Sequence, residues 1–311
     1  MDQVKDHLKH VPGTWAFWRC RDCGSAMLSP FPQAQELASF YPAVYDFSLE
    51  QRQQNSFKRL LSQLEYRLFF QPQHEAQARQ ILRGTGGPNR LGRRLLDVGT
   101  GQGFPLLALK QHGYQVHGTD FRPAAVEYLQ KQLGIPATCT DVSNLNQHFP
   151  PASFDVVTAF HTLEHVPDVR SVVNSCYLLI KPGGWFVSTV PFVDSVQARL
   201  FKSRWSGASE APRHLSLPSH EGIARVCRQA GFDSVTIRPG TLLDCAGVLV
   251  LSLLPNTGSR HFRQSLPLHT LIASAAGGLA GLAAIPWCLI ENYLLRRPSM
   301  GIVFSHKPET A

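Results

Sequence analysis

Leu95-Leu96-Asp97-Val98-Gly99-Thr100-Gly101-Gln102-Gly103 runs from an apolar stretch straight into three glycines at alternate positions. The apolar half reads as a buried strand. The glycines read as a turn where the backbone takes positive φ and a ligand approaches without a Cβ in its way. Pro105–His112 reads as a helix whose first N–H groups face that turn, with Pro105 suited to its opening position and Gly113 to its left-handed end. A glycine-rich turn alone is weak evidence, and its surroundings strengthen it. Tyr114–Thr119 reads as a second strand ending at Asp120, about twenty residues on, where a carboxylate can accept from both ribose hydroxyls.

Outward from this unit the pattern repeats. Apolar runs at Arg94–Gly99, Tyr114–Thr119, Ala137–Thr140, Phe154–Phe160 and Trp185–Val190 alternate with helical patterns, among them Pro123–Leu133 and Val169–Ile180. Strands separated by helices of about ten residues predict βαβ units and a parallel sheet covered on both faces. A helix at Ser219–Ala230, a strand at Ser234–Arg238 and a last strand at Gly301–Ser305 follow. Upstream, residues 1–35 read as irregular, and Pro42–Arg83 is helical, with Phe57, Leu60, Leu61, Leu64 and Leu68 at helical spacing. Gly84–Asn89 breaks the chain. The expected organisation is an N-terminal segment and helical lid at 1–83, a core at 84–240, an apolar helical insert at 241–297, and a last strand and tail at 298–311.

The spacing of the glycines separates two nucleotide ligands. A dinucleotide fingerprint wants its third glycine three residues after the second, where this chain has Phe104. Asp97, just before the turn, would repel a pyrophosphate and welcome the ammonium of a methionine moiety, although anchoring the turn through backbone amides also accounts for it. A nicotinamide-dependent oxidoreductase and a non-catalytic cofactor-binding scaffold stay open beside a methyltransferase.

Further motifs carry a resemblance. Asp97–Gly103 resembles motif I of the class I S-adenosylmethionine-dependent methyltransferases, and Phe154-Asp155-Val156-Val157 resembles the opening of their fourth strand. His161-Thr162-Leu163-Glu164-His165-Val166-Pro167-Asp168, followed by Leu178-Leu179-Ile180-Lys181-Pro182-Gly183-Gly184, is similar to a signature of the group that includes the ubiquinone-biosynthesis O-methyltransferases. The resemblance covers Arg94–Val190. It implies a Rossmann-like α/β fold with a seven-stranded, mostly parallel sheet, helices on both faces and the last strand inserted antiparallel. It implies S-adenosylmethionine as cofactor, with Gly99, Gly101 and Gly103 beneath its methionine part and Asp97 beside it. Asp120 and Phe121 would meet the ribose, Asp141 and Val142 the adenine, and Phe160 and His161 would flank the cofactor.

A sulfonium methyl is already activated, so the site must place an acceptor in line and exclude water. A hydroxyl acceptor benefits from a base near neutral pH, and the candidates are His165, then His161 and His214. Each has a bland alternative, such as His165 capping the helix after it. The expected reaction is methyl transfer to a small or lipid-like acceptor, at oxygen. Cys20 and Cys23 form one zinc knuckle; structural zinc needs four ligands, and His7 and His10 have the spacing to complete the set.

With 311 residues, 43% apolar and 17% charged, the chain reads as globular. Its net charge of +8 is scattered, without the basic stripe of nucleic-acid binders, so no nucleic-acid partner is expected. Five cysteines (Cys139, Cys176, Cys227, Cys245, Cys288) sit singly in apolar sequence, and residues 1–19 lack the continuous apolar run of a signal peptide, which predicts a cytoplasmic setting. No charge lies between Arg263 and Glu291, and Leu268–Ile290 has the length of a bilayer span interrupted by Pro286. The final strand must return to the sheet, so a single crossing is disfavoured. The basic flanks Arg260, Arg263, Arg296 and Arg297 suit an interfacial hairpin at the inner face of a membrane, and a soluble insert used for homodimer contact is the competing reading.

Overall fold

The computed structural model describes residues 1, 3–6, 11–41, 64, 66–86, 93–254 and 279–309. Seven strands form the main sheet: β3 (Arg94–Val98), β4 (Gln115–Asp120), β5 (Ala137–Cys139), β6 (Phe154–Phe160), β7 (Ile180–Pro191), β9 (Ser234–Pro239) and β10 (Met300–His306). Their order is β5-β4-β3-β6-β7-β10-β9. β10 runs antiparallel between β7 and β9, pairing Val303 with Ser188 and with Ile237, and β3 to β7 pair in parallel. This is the expected seven-stranded, Rossmann-like arrangement with an inserted antiparallel strand.

Period-two alternation sends successive residues to opposite faces. Leu96, Val157, Phe186 and Val303 pack on one face beneath α4 (Val169–Leu179) and α6 (His220–Ala230). Leu95, Val156, Val187 and Ile302 pack on the other beneath α1 (Gln71–Gly84), α2 (Phe104–Gln111) and α3 (Pro123–Gln132). Side chains of Asp168 and Ser219 cap α4 and α6 by accepting from Ser171 N and Gly222 N. Asp168, not His165, is therefore the cap of the helix after the histidines. α1 is more than a cover over the site: Ala78, Ile81 and Leu82 are buried in the core cluster that contains Leu95 and Phe304.

Residues 1–35 are not irregular throughout. β1 (Ala16–Arg19) and β2 (Ala26–Ser29) form an antiparallel hairpin, and β2 pairs with β8 (Ser216–Leu217). Phe17, Ala26 and Leu28 turn inward against Trp205, Leu215 and Leu217. Strands of four residues alternate too briefly to register as a period, and their partner lies far along the chain. Cys139 also departs from expectation, being exposed at the end of the edge strand, whereas Cys176, Cys227, Cys245 and Cys288 are buried.

After β7 come α5 (Val196–Phe201) and, after β9, α7 (Leu242–Leu253), whose start carries a capping box of Thr241 and Asp244. Residues 279–289 are helical and continue into a π turn, Ile290–Leu294. Ala284 and Cys288 of that helix pack on Cys245, Ala246 and Leu249 of α7. Among the described residues no helix is long and apolar enough to cross a membrane. The helical patterns over 42–63 and the segment 255–278 lie outside the described residues.

Candidate active site

Four strand ends converge. β3 delivers the turn Gly99–Gly103, β4 delivers Asp120 and Phe121, β5 delivers Asp141 and Val142, and β6 delivers Phe160 and His161. All lie at the carboxyl ends of parallel strands, where open α/β sheets bind ligands. Gly99, Gly101 and Gly103 have φ of 73°, 56° and 73°, the left-handed region that favours glycine. The three differ in what they face. A Cβ on Gly99 would sit 2.7 Å from Thr162, and one on Gly103 would sit 2.2 Å from Leu129. Gly101 meets only the Arg122 guanidinium at 3.8 Å, so it is the bare backbone turned toward the cleft.

Asp97 is buried and accepts from Thr158 Oγ1 at 2.7 Å. Burial, with the nearby Asp120 carboxylate adding to it, pushes its pKa up to about 7. Asp120 is buried too, accepting from Gly101 N at 2.9 Å and from Arg122 N and Nε at 3.0 Å each. Arg122 Nη2 adds a bond at 3.1 Å, so a guanidinium lies where the sequence reading put sugar hydroxyls. Phe121 is exposed, with Tyr41 edge-on at 5.6 Å. Asp141 accepts from Ser143 N and Oγ, and Val142 packs against the core. Phe160 is buried.

The histidines separate. His161 has φ of 52°, a strained backbone for a residue with a Cβ, held by its N–H donating to Thr189 O at 3.0 Å. Its side chain is 47% exposed, and Nδ1 lies 3.6 Å from Glu164 Oε1, an ion-pair distance rather than a hydrogen bond. Desolvation lowers the imidazole's pKa, but Glu164, helped by Asp244 and Glu210, outweighs it and holds the pKa above the ordinary value. Burial raises Glu164, and His161 beside it more than reverses that, so the carboxyl is held below its usual range.

His165 behaves oppositely. Its Nδ1 is 3.1 Å from Arg213 O and from Tyr41 Oη. A carbonyl only accepts, which assigns the proton to Nδ1. Burial first, then the charge of His214, brings its pKa down to about 4. His214 packs edge-on at 4.6 Å between ring centroids, its Nδ1 2.6 Å from Gly207 O. Glu164, His165 and His214 each offer one ligand atom within 4.8 Å of the others.

Several site residues went unseen in the sequence. Tyr41 bridges Phe121 and His165, and Arg122 grips Asp120. Tyr66, His74 and Phe104 stack beside the turn, with Tyr66 and Phe104 at 4.5 Å. Arg213 is fully buried against Asp6, with bonds of 3.0 and 2.8 Å. An arginine two residues after the strand-end acid was a readable signal; the others depend on contacts distant in sequence. Cys20 and Cys23 lie at the tip of the β1–β2 hairpin, and backbone N–H groups of Cys23 and Asp22 lower the Cys20 thiol. Among the described residues no third metal-ligating side chain joins them, and His7 and His10 lie outside those residues.

A family model described as a methyltransferase domain matches residues 69–237. The ubiquinone biosynthesis O-methyltransferase of Paracidovorax citrulli is 34% identical over 184 residues, covering 54% of this chain and 75% of that protein. The protein of the same name from Chromobacterium violaceum is 32% identical over 182 residues, covering 54% and 76%. Among solved structures, Haemonchus contortus phosphoethanolamine N-methyltransferase 2 with S-adenosylmethionine superposes with a TM-score of 0.51 at 21% identity, covering 75% of this chain and 52% of that one. The [4+2]-cyclase SpnF superposes with a TM-score of 0.51 at 20% identity, covering 75% and 80%. At such identities the likeness speaks to the fold alone, and a cyclase among the neighbours illustrates that this fold does not fix the reaction.

Proposed function

The chain belongs to the methyltransferase family and is an S-adenosylmethionine-dependent enzyme, and from that premise we propose that it methylates an oxygen of a small or lipid-like acceptor, with His161 as the base. The observation that carries this reading is the pairing of a half-exposed His161, its pKa held up, with the buried carboxylate of Glu164. The relatives named as O-methyltransferases support oxygen as the acceptor atom.

The residues present fit the cofactor. Gly101 offers an open backbone, Asp120 a buried carboxylate at a strand end, and Phe121 an exposed ring for a base to lie against. In this reading Arg122 swings off Asp120, which then accepts from the ribose hydroxyls. Gly99 and Gly103 shape the turn beneath the methionine part, Asp141 and Val142 bracket the adenine, and Phe160 walls the methyl end. Asp97, bonded to Thr158 and facing Asp120, becomes fully ionised beside an ammonium. Held there, S-adenosylmethionine would supply an electrophilic sulfonium methyl for the acceptor oxygen.

His161 accepts the acceptor's hydroxyl proton, and Glu164 steadies the resulting imidazolium. Burial suits Glu164 to this task, because an ion pair is stronger out of water. His165 falls behind His161 as a base, since an imidazole with a pKa near 4 binds a proton too weakly at neutral pH. His165 and His214 instead form the wall behind Glu164. The nicotinamide and scaffold readings have no observation in their favour.

The test supplies methyl-labelled S-adenosylmethionine with phenol-bearing and amine-bearing acceptors, alongside calorimetry with S-adenosylhomocysteine. Label in an ether product, and an affinity for S-adenosylhomocysteine about 10- to 100-fold weaker in Asp120→Ala, the cost of losing charged hydrogen bonds, are expected. Label confined to amines would overturn the oxygen reading. Unchanged affinity in the variant would overturn the role of Asp120.

A further inference from the structure

The helix at 279–294 is built inside out. Its core-facing residues include Glu291 and Asn292, both buried, with Glu291 accepting from Gln197 N at 3.0 Å and from Gln197 Nε2 at 2.7 Å. Its outward residues are Leu279, Leu282, Leu289, Ile290, Tyr293 and Leu294, with Leu279, Leu282 and Leu294 exposed by 69%, 60% and 75%. At 100° per residue these positions fall within an arc of roughly 140°, a single helix face. Ala283 and Pro286 are exposed on the same face and add no polar side chain. A soluble helix places its large apolar residues inward and its charges outward; here only the small Ala284 and Cys288 pack inward with Glu291, and the leucines face out.

α7, which packs on this helix, ends with Leu253 exposed and Leu254 exposed just after it, and basic residues lie close by. Arg204 donates to Leu253 O at 3.4 Å, and Arg199 and Lys202 are exposed nearby in sequence. Arg296 is exposed directly after the helix, while Arg297 beside it donates to Asp194 at 2.6 Å and is not counted in the rim. The acidic residues of the two helices are withdrawn: Glu291 is buried, and Asp244 is bonded by Thr241 and Gln73.

We infer that this face docks on an anionic lipid bilayer, with the leucines among the acyl chains and the arginines and lysine at the headgroups. The cationic rim decides the occupant. A second copy would bring like charges together around the contact, whereas an anionic headgroup layer complements them. The helix lies on the membrane and does not cross it, because its inner side is held to α7 through Ala284 and Cys288 and to Gln197 through Glu291. α7 joins this face to the chemistry. It rises about 14 Å from Asp244, whose charge acts on His161, to the exposed Leu253. The docking surface stands whether or not oxygen is the methylated atom.

The test is cosedimentation of the full chain with vesicles of one part phosphatidylglycerol to three parts phosphatidylcholine, with phosphatidylcholine alone, and with no vesicles. Binding is expected to the anionic vesicles, to weaken as salt rises, and to fall about ten-fold or more in Leu282→Glu and in Leu294→Glu. Both positions face outward, so S-adenosylhomocysteine affinity, which reports the folded core, stays unchanged. Absence of wild-type binding to anionic vesicles overturns the inference, as does equal binding by the variants. A vesicle-indifferent dimer that Leu282→Glu converts to monomer also overturns it, in favour of a second copy.

Discussion

His161 takes a left-handed backbone although it carries a Cβ, at a cost of order 1 kcal/mol that the rest of the fold must offset. The twist sends the imidazole off the end of β6, toward Glu164 and away from the sheet. If His161 removes the acceptor's proton, His161→Ala lowers kcat by about 10²- to 10³-fold with KM little changed. The pH profile gives a sharper test. The acidic limb of kcat/KM reports loss of neutral imidazole, and Glu164 raises the pKa that sets it. Glu164→Gln removes that support, so the limb moves to lower pH; an unmoved limb assigns the base elsewhere. At this scale the sequence was legible in residue types and silent on partners. Asp97 stood beside the glycines, but its bond to Thr158 crosses to a neighbouring strand, and a one-dimensional reading sees no such neighbour. Asp120 stands out by its spacing from the glycines, whereas its bonds to Arg122 appear only in three dimensions.

Elements were easier where a period is long. α2, α3 and α4 lie within a residue of the expected bounds; periodicity, proline starts and glycine stops agree in α2 and α3, and in α4 the period stands with an Asp168 cap. β1, β2 and β8 went unread, since strands of two to four residues gain their stability from partners far along the chain. α1 was legible as a helix, but its place in the core was not. His74 on that helix stacks with Phe104 at 6.0 Å, and its buried Nδ1 has no hydrogen-bond partner among the described residues. Burial, then the charge of His161, lowers its pKa from 6.5 to about 4. The unfolded chain therefore binds a proton that the folded one refuses in this window, so stability is present above pH 6.5 and is lost as pH falls toward 4. At about 1.4 kcal/mol per pH unit the loss is capped at about 3 kcal/mol. His74→Phe keeps a ring on Phe104 and removes the site. Denaturant melts taken from pH 7 to pH 4 should show the variant gaining on the wild type by up to that amount, and parallel curves would refute the account.

At the scale of the whole chain a buried ion pair ties the N-terminal segment to the stretch that leads into β8, so the smaller sheet closes across most of the sequence. Asp6 precedes the hairpin and Arg213 precedes β8, 207 residues apart in sequence, with side chains 0% and 1% exposed. Arg213 also presents its carbonyl to His165, so the pair fixes the wall behind Glu164 as well as the hairpin. Nothing in the local sequence of either residue announces the other, because the match exists only once β2 has found β8. Burying two charges costs several kcal/mol of hydration each, which their mutual attraction offsets when both are present. Removing one takes the main counter-charge from the other, leaving Arg213 with Glu210 at 3.9 Å, or Asp6 with the Val11 N–H, among its remaining contacts. Asp6→Leu alone, or Arg213→Met alone, should therefore cost about 3–5 kcal/mol in chemical denaturation. The double variant should recover most of that loss, since two apolar side chains can fill the volume without a desolvated charge. Additive losses in the double variant would mean that Asp6 and Arg213 act through separate contacts and that the hairpin is held by Phe17, Leu28 and their apolar neighbours alone.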